Sequence, residues 1–221
     1  LDTNVETNLS GSRRPLQTRS KKWAQGLAAW MARTGFSPNG VSLLGLGVAA
    51  LGAGAMLKGW WWAAAVCVQL RLLCNMLDGL IAVEHGKGDK LGGFFNEVPD
   101  RAEDAMLLLA AGYAAGGPWG VTLGWSAALL AVLTAYLRQT GGAMGLAQDF
   151  CGPLAKPQRM FVLTVTLLAA GGVEVANHAA CEGPLVYAQR VLVAGLSVIA
   201  AGTAITVARR TVRLMEALKN R

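Results

Sequence analysis

Six long apolar stretches, 41–57, 60–82, 94–115, 119–137, 157–176 and 185–207, alternate with short polar ones along this chain. Each approaches the roughly 20 apolar residues that carry an α-helix across a bilayer. The runs are rich in Ala, Leu and Gly and do not alternate, which excludes barrel strands and predicts helices. The predicted class is therefore an all-α integral membrane protein with six transmembrane helices. Closely spaced small residues, as in LGLGVAALGAGAM, fit helices that approach backbone to backbone. Ahead of the spans, PLQTRSKKWAQGLAAWMARTG places Trp23, Leu27, Trp30 and Met31 at helical spacing among basic residues, which predicts an amphipathic helix lying in the membrane interface. The expected organisation is a disordered tail over 1–14, an interfacial helix and linker over 15–37, a six-helix membrane domain over 38–208 and a basic cytoplasmic tail over 209–221.

The apolar pattern is broken in one place, between residues 71 and 104. Arg71, Asn75, Asp78 and Ala82 are spaced four, three and four apart, so a helix puts them on one face. Gly79 beside Asp78 leaves room for an approaching ligand. In the next run Gly92, Asn96, Asp100 and Asp104 recur every fourth residue and form a second stripe. A short connection makes the two helices antiparallel neighbours, with both stripes about 10–15 Å below the same surface. The stripes then converge in one polar pocket. Ionisable groups inside a membrane usually serve function, and oxygen ligands in this arrangement suit Mg²⁺, Mn²⁺ or Ca²⁺. The competing reading is a buried ion-pair network, with Arg71 against Asp78 and Glu97 against Arg101. Pro99 resists a helix interior, so the helix either starts near Asn96, which would then act as its N-cap, or bends there.

Charge adds orientation. The net charge is +7, but its distribution argues against a nucleic-acid partner. Arg13, Arg14, Arg19, Lys21, Lys22 and Arg33 precede the first span, Lys87 and Lys90 follow the second, and Arg138, Lys156 and Arg159 follow the fourth. Arg209, Arg210, Arg213, Lys219 and Arg221 follow the last, whereas the opposite connections carry little beyond Lys58. This asymmetry puts both termini and the pocket on the cytoplasmic side, with the basic residues against anionic membrane lipids. No apolar core follows the basic stretch before Val41, so no cleavable signal peptide is expected. Cys67 and Cys74 read as packing residues, Cys151 and Cys181 fall on opposite sides, and so do His85 and His178, which excludes a zinc site.

The stretch NMLDGLIAVEHGKGDKLGGFFNEVPD resembles the signature of the CDP-alcohol phosphatidyltransferase (CDP-alcohol phosphotransferase) family, Asp-x2-Asp-Gly-x2-Ala-Arg-x8-Gly-x3-Asp-x3-Asp. Asp78, Gly79, Ala82, Gly92 and Asp100 match without a gap. Asn75 and Asn96 stand at the first and third aspartates, and Val83 at the arginine. The resemblance implies a membrane enzyme of phospholipid biosynthesis. Such an enzyme moves a phosphatidyl or phospho-alcohol group from a CDP-linked donor, expected to be CDP-diacylglycerol, to an alcohol acceptor and releases CMP. It implies Mg²⁺ or Mn²⁺, one or two ions, on Asp78, Asn75, Asn96 and Asp100, with Asp100 as catalytic base; Asp104, one turn beyond Asp100 and outside the signature, is a further candidate ligand that would restore one charge. Gly79, Ala82 and Gly92 would admit the nucleotide, Lys156, Arg159 and Arg138 would hold a phosphate of the acceptor or lipid, and Arg71 would be a charge partner. A homodimer is also implied. The two asparagines keep oxygen ligands but remove two negative charges, so one tightly held ion, or a second arriving with substrate, is the expected consequence. The alternative function is a catalytically degenerate relative that binds nucleotide-lipid or serves as a structural membrane protein.

Overall fold

The computed structural model describes residues 22–84, 91–177 and 184–220. The expectations for the 1–14 tail, the start of the interfacial helix, Lys87, Lys90, His85, His178, Cys181 and Arg221 lie outside the described residues. Among the described residues seven helices follow one another: α1 (Lys22–Arg33), α2 (Pro38–Leu57), α3 (Trp61–Glu84), α4 (Gly92–Ala115), α5 (Gly117–Ala143), α6 (Lys156–Ala176) and α7 (Pro184–Lys219). There is no strand among the described residues. The chain is an all-α integral membrane protein. Among the described residues five helices, α2, α3, α5, α6 and α7, are long and apolar enough to cross a bilayer. At 24 residues α4 equals α3 in length. Its first half carries Glu97, Asp100, Arg101, Glu103 and Asp104, which keeps it out of that apolar class.

Local chemistry sets several boundaries. Ser37 caps α2 by accepting the Gly40 N–H at 3.1 Å, and Pro38 supplies the preset φ of a first helical position. α4 begins at Gly92 and runs through Pro99 without interruption. Asn96 is therefore inside the helix and caps nothing, because the N-terminal position belongs to Leu91.

Apolar residues in lipid gain little from burial alone, so close van der Waals fit decides which helices pair. α2 packs on both α3 and α4, whereas the backbones of α3 and α4 come close at few points and meet mainly through long side chains. The expected α3–α4 hairpin is thus bridged by a third helix. Gly45 of α2 makes this possible: a Cβ there would lie 3.0 Å from Glu103 Oε1 on α4 and 3.3 Å from Cys74 Cβ on α3. α5 lies on α4, and α7 joins α5 to α6. The main apolar core runs through Met56, Val68, Leu107, Leu108, Leu163 and Leu196.

α1 docks through its small residues and Met31. Ala24, Ala28 and Met31 are buried in a second cluster with Leu77, Leu80 and Ile81 of α3. Trp23 and Trp30 point away from the bundle, 52% and 58% exposed. Small residues face protein and large aromatics face outward.

Candidate active site

Arg71 is the hub. It is wholly buried, at 0% exposure, and reaches from α3 across to α4. Its Nε donates to Glu103 Oε2 at 2.5 Å, and its Nη2 donates to Asp104 Oδ1 and, at 3.3 Å, to Asp100 Oδ1. The Asp100 carbonyl also accepts from Nη2 at 3.3 Å. These partners all belong to α4, so the pairing of Arg71 with Asp78 suggested by their spacing is replaced by pairing across helices. Asp78 turns the other way, toward α2, and accepts from Ser42 Oγ at 2.6 Å. The α3 stripe thus divides: Arg71 and Asn75 address α4, and Asp78 addresses α2.

Asn75 completes the bridge to α4. Its Nδ2 donates to Asp100 Oδ1 and to Glu103 Oε2, the latter at 3.1 Å. Asp100 also receives the Lys156 ammonium of α6, and Arg101 lies 3.4 Å from its second oxygen. Asp104 spends both oxygens on arginines, Oδ1 on Arg71 and Oδ2 on Arg159 at 3.1 Å. Arg159 is itself anchored by the Leu154 carbonyl at 3.2 Å. The expected Glu97–Arg101 pair forms at 2.5 Å, and Arg138 of α5 clamps both Glu97 oxygens at 2.7 Å while its guanidinium lies 5.3 Å from the centre of the Phe150 ring. The result is one unbroken chain of ion pairs from Arg138 through Glu97, Arg101, Asp100 and Arg71 to Asp104 and Arg159.

A cavity of about 200 Å³ opens beside this chain. Asn75, Gly79, Asn96, Asp100, Arg138, Lys156 and Arg159 line it, together with Glu97, Arg101, Phe150 and Arg210. Most of the residues singled out by spacing are therefore brought to one place. Gly92 stands in open space, since a Cβ there would meet nothing within 4 Å, so protein packing does not account for the glycine. Ala82 lies one turn beyond Asp78 on α3 and is half-buried. Two elements of the site escaped the sequence reading. Glu103, at 0% exposure, was missed because the α4 stripe was traced at four-residue steps, while Glu103 sits three residues after Asp100 on the flank that faces Arg71. Arg210 comes from the far end of the chain and donates to the Thr134 carbonyl at 2.7 Å, a contact that no local pattern encodes.

The donor set can be weighed against a divalent ion. Asp78 and Asp100 are the carboxylates at signature positions, and Asn96 adds an exposed carboxamide at the cavity. Asn75 presents its N–H groups to carboxylates. No group of three or more His, Cys, Asp and Glu among the described residues forms a metal cage. Asp104 is committed to its arginines. The cavity brings Asn75, Asn96 and Asp100 together, while Asp78 faces Ser42 of α2 and the Lys156 ammonium sits on Asp100.

Comparison with known proteins identifies the fold and the family together. The family model for CDP-alcohol phosphatidyltransferase matches residues 36–206, which contain every residue of the ion-pair chain. The chain belongs to the CDP-alcohol phosphatidyltransferase family. It is thereby placed among membrane transferases of phospholipid biosynthesis. It is 30% identical over 169 residues to phosphatidylinositol phosphate synthase of Mycolicibacterium smegmatis, covering 71% of this chain and 72% of that protein. It is likewise 30% identical over 151 residues to phosphatidylinositol phosphate synthase of Streptomyces avermitilis, covering 65% of this chain and 60% of the other. Among solved structures it resembles Mycobacterium tuberculosis phosphatidylinositol phosphate synthase with CDP-DAG bound, at a TM-score of 0.70 and 23% identity over 88% of this chain and 94% of that one. The same enzyme in complex with manganese and citrate gives a TM-score of 0.70 over 87% and 88% of the two chains, again at 23% identity.

Proposed function

We propose that this phosphatidyltransferase takes CDP-diacylglycerol as donor and an alcohol that itself carries a phosphate, such as an inositol phosphate, as acceptor, and releases CMP. The observation that carries the reading is the cavity beside Asp100, into which Lys156, Arg138, Arg159, Arg101 and Arg210 converge from three helices and the start of a fourth. Guanidinium forks and an ammonium in a low-dielectric wall recognise phosphate oxygens. The names of the relatives from Mycolicibacterium and Streptomyces point to the same acceptor class.

In this reading α4 is a sixth span, α1 lies in the interface, and the cavity and termini face the cytoplasm, where soluble acceptors are found. Asp100 takes the proton of the acceptor hydroxyl as it attacks the donor phosphorus. While Lys156 and Arg71 hold its Oδ1, that oxygen is not available as a base. A donor diphosphate that draws Lys156 away would release it. Gly79 and Gly92 leave space for the nucleotide, and Arg71 fixes α4 against α3 so that Asp78 and Asp100 keep their separation. Asp78, Asp100 and Asn96 would hold one Mg²⁺ or Mn²⁺, which would neutralise the donor diphosphate and the charge that develops on the departing CMP. The remaining catalytic effect is positioning and fixed charge. Glu103 and Asp104 serve as structural counter-ions.

The experiment is a CMP-release assay with purified protein, labelled CDP-diacylglycerol and a panel of inositol phosphate, glycerol phosphate, inositol and serine. Turnover with the phosphorylated alcohols and none with inositol or serine is expected. Turnover with neutral alcohols alone would overturn the acceptor assignment. Binding of CDP with no CMP released from any acceptor would favour a nucleotide-lipid binding protein.

A further inference from the structure

The ion-pair chain is nearly self-neutralising before any ligand arrives. Its cations are Arg71, Arg101, Arg138, Lys156 and Arg159, and its anions are Glu97, Asp100, Glu103 and Asp104. Asp78, one turn from Asn75, brings five cations against five anions, and Arg210 on the same cavity leaves one positive charge in excess. Aspartates at positions 75 and 96 would have left an anionic site that recruits a divalent ion. With Asn75 and Asn96 the demand for positive charge is already met by side chains, and Lys156 sits on the oxygen of Asp100 that an ion would use. A dication entering this low-dielectric cluster alone would bring two uncompensated charges. A diphosphate diester carries one negative charge on each phosphate, so an ion and the donor diphosphate together are neutral.

We propose that the substrate-free protein holds no resident divalent ion, that Lys156 occupies the ion's place on Asp100, and that the ion enters bound to the donor diphosphate. This rests on the function proposed above, in that the donor is CDP-linked. By linkage, donor and ion then tighten each other's binding by the same factor.

The test is binding of Mn²⁺ to the full chain in nanodiscs, followed by its paramagnetic resonance signal and by calorimetry, with and without CDP and corrected for the Mn²⁺–CDP complex in free solution. The expected result is a tightening of Mn²⁺ by roughly tenfold or more when CDP is present, with a matching gain in CDP affinity. Asn96→Asp, at an exposed position that tolerates the change, and Lys156→Met should each raise Mn²⁺ affinity in the absence of CDP. Equally tight Mn²⁺ binding with and without CDP would overturn the inference, and so would two variants that bind nucleotide-free Mn²⁺ no better than the parent. CDP that binds with an affinity indifferent to Mn²⁺ overturns this inference and leaves the proposed function standing. Absence of CDP binding under every condition overturns both.

Discussion

The two halves of α4 solve the problem of packing inside a membrane in opposite ways. The first half, up to Asp104, is held by charge: Arg71, Asn75, Lys156 and Arg159 arrive from two other helices to meet its carboxylates. The second half is held by the absence of side chains. A Cβ on Gly112 would lie 2.7 Å from the Gly124 Cα of α5 and 2.8 Å from the Gly120 carbonyl oxygen, so the two backbones touch. Leu107 and Leu108 separate these regions and belong to the apolar core. The two halves therefore join α4 to different neighbours: the glycine seam to α5, and the charged half to α3 and α6. The charged half carries costly buried groups, among them Glu103 Oε1 and Arg71 Nη1, which have no hydrogen-bond partner among the described residues.

The contrast can be broken most sharply at Asp100. Asp100→Asn should lower CMP release by roughly 10²–10⁴-fold. A loss smaller than about tenfold, well below that range, would remove Asp100 from the role of base. Next in size is the hub. Arg71→Met leaves Glu103 as a buried anion without its cation, takes one of the two arginines from Asp104, and should cost about 3–5 kcal/mol in unfolding stability. Adding Glu103→Gln should recover part of that loss, and a strictly additive double variant would deny the coupling.

Helix periodicity made the charged half legible in the sequence. Asn75, Asp78, Asn96 and Asp100 fall at spacings that a helix places on one face, and a cavity gathers three of the four. What periodicity could not give was the partner of each group. Arg71 and Asp78 are on one face of α3, yet they address α4 and α2, because α2 inserts against both helices. That insertion depends on Gly45 and on three-dimensional fit. The glycine seam was legible only as composition, since nothing local says which glycine meets which.

A smaller effect sharpens the other side of the comparison. Gly124→Ala sets a methyl group against the backbone of α4 and should cost about 1–3 kcal/mol, with kcat per folded molecule unchanged. Loss of kcat at unchanged stability would mean that the seam transmits to the site. The smallest effect on stability belongs to metal removal. A chelator should leave the Tm of the substrate-free protein where it was while arresting turnover, because the charged cluster is already balanced. A marked fall in Tm on chelation alone would show an ion built into the fold.

α7 has 36 residues and so runs for about 54 Å, well beyond the roughly 30 Å of a hydrocarbon core. Its Arg210 holds the carbonyls of Thr134 and Cys151, and its Arg213 holds Asp149 at 3.0 Å. The helix is therefore a lever whose outer arm is tied to the connection between α5 and α6, where Phe150 and Gln148 steady Arg138. Through those contacts the far end of α7 helps fix the position of Arg138 at the mouth of the cavity.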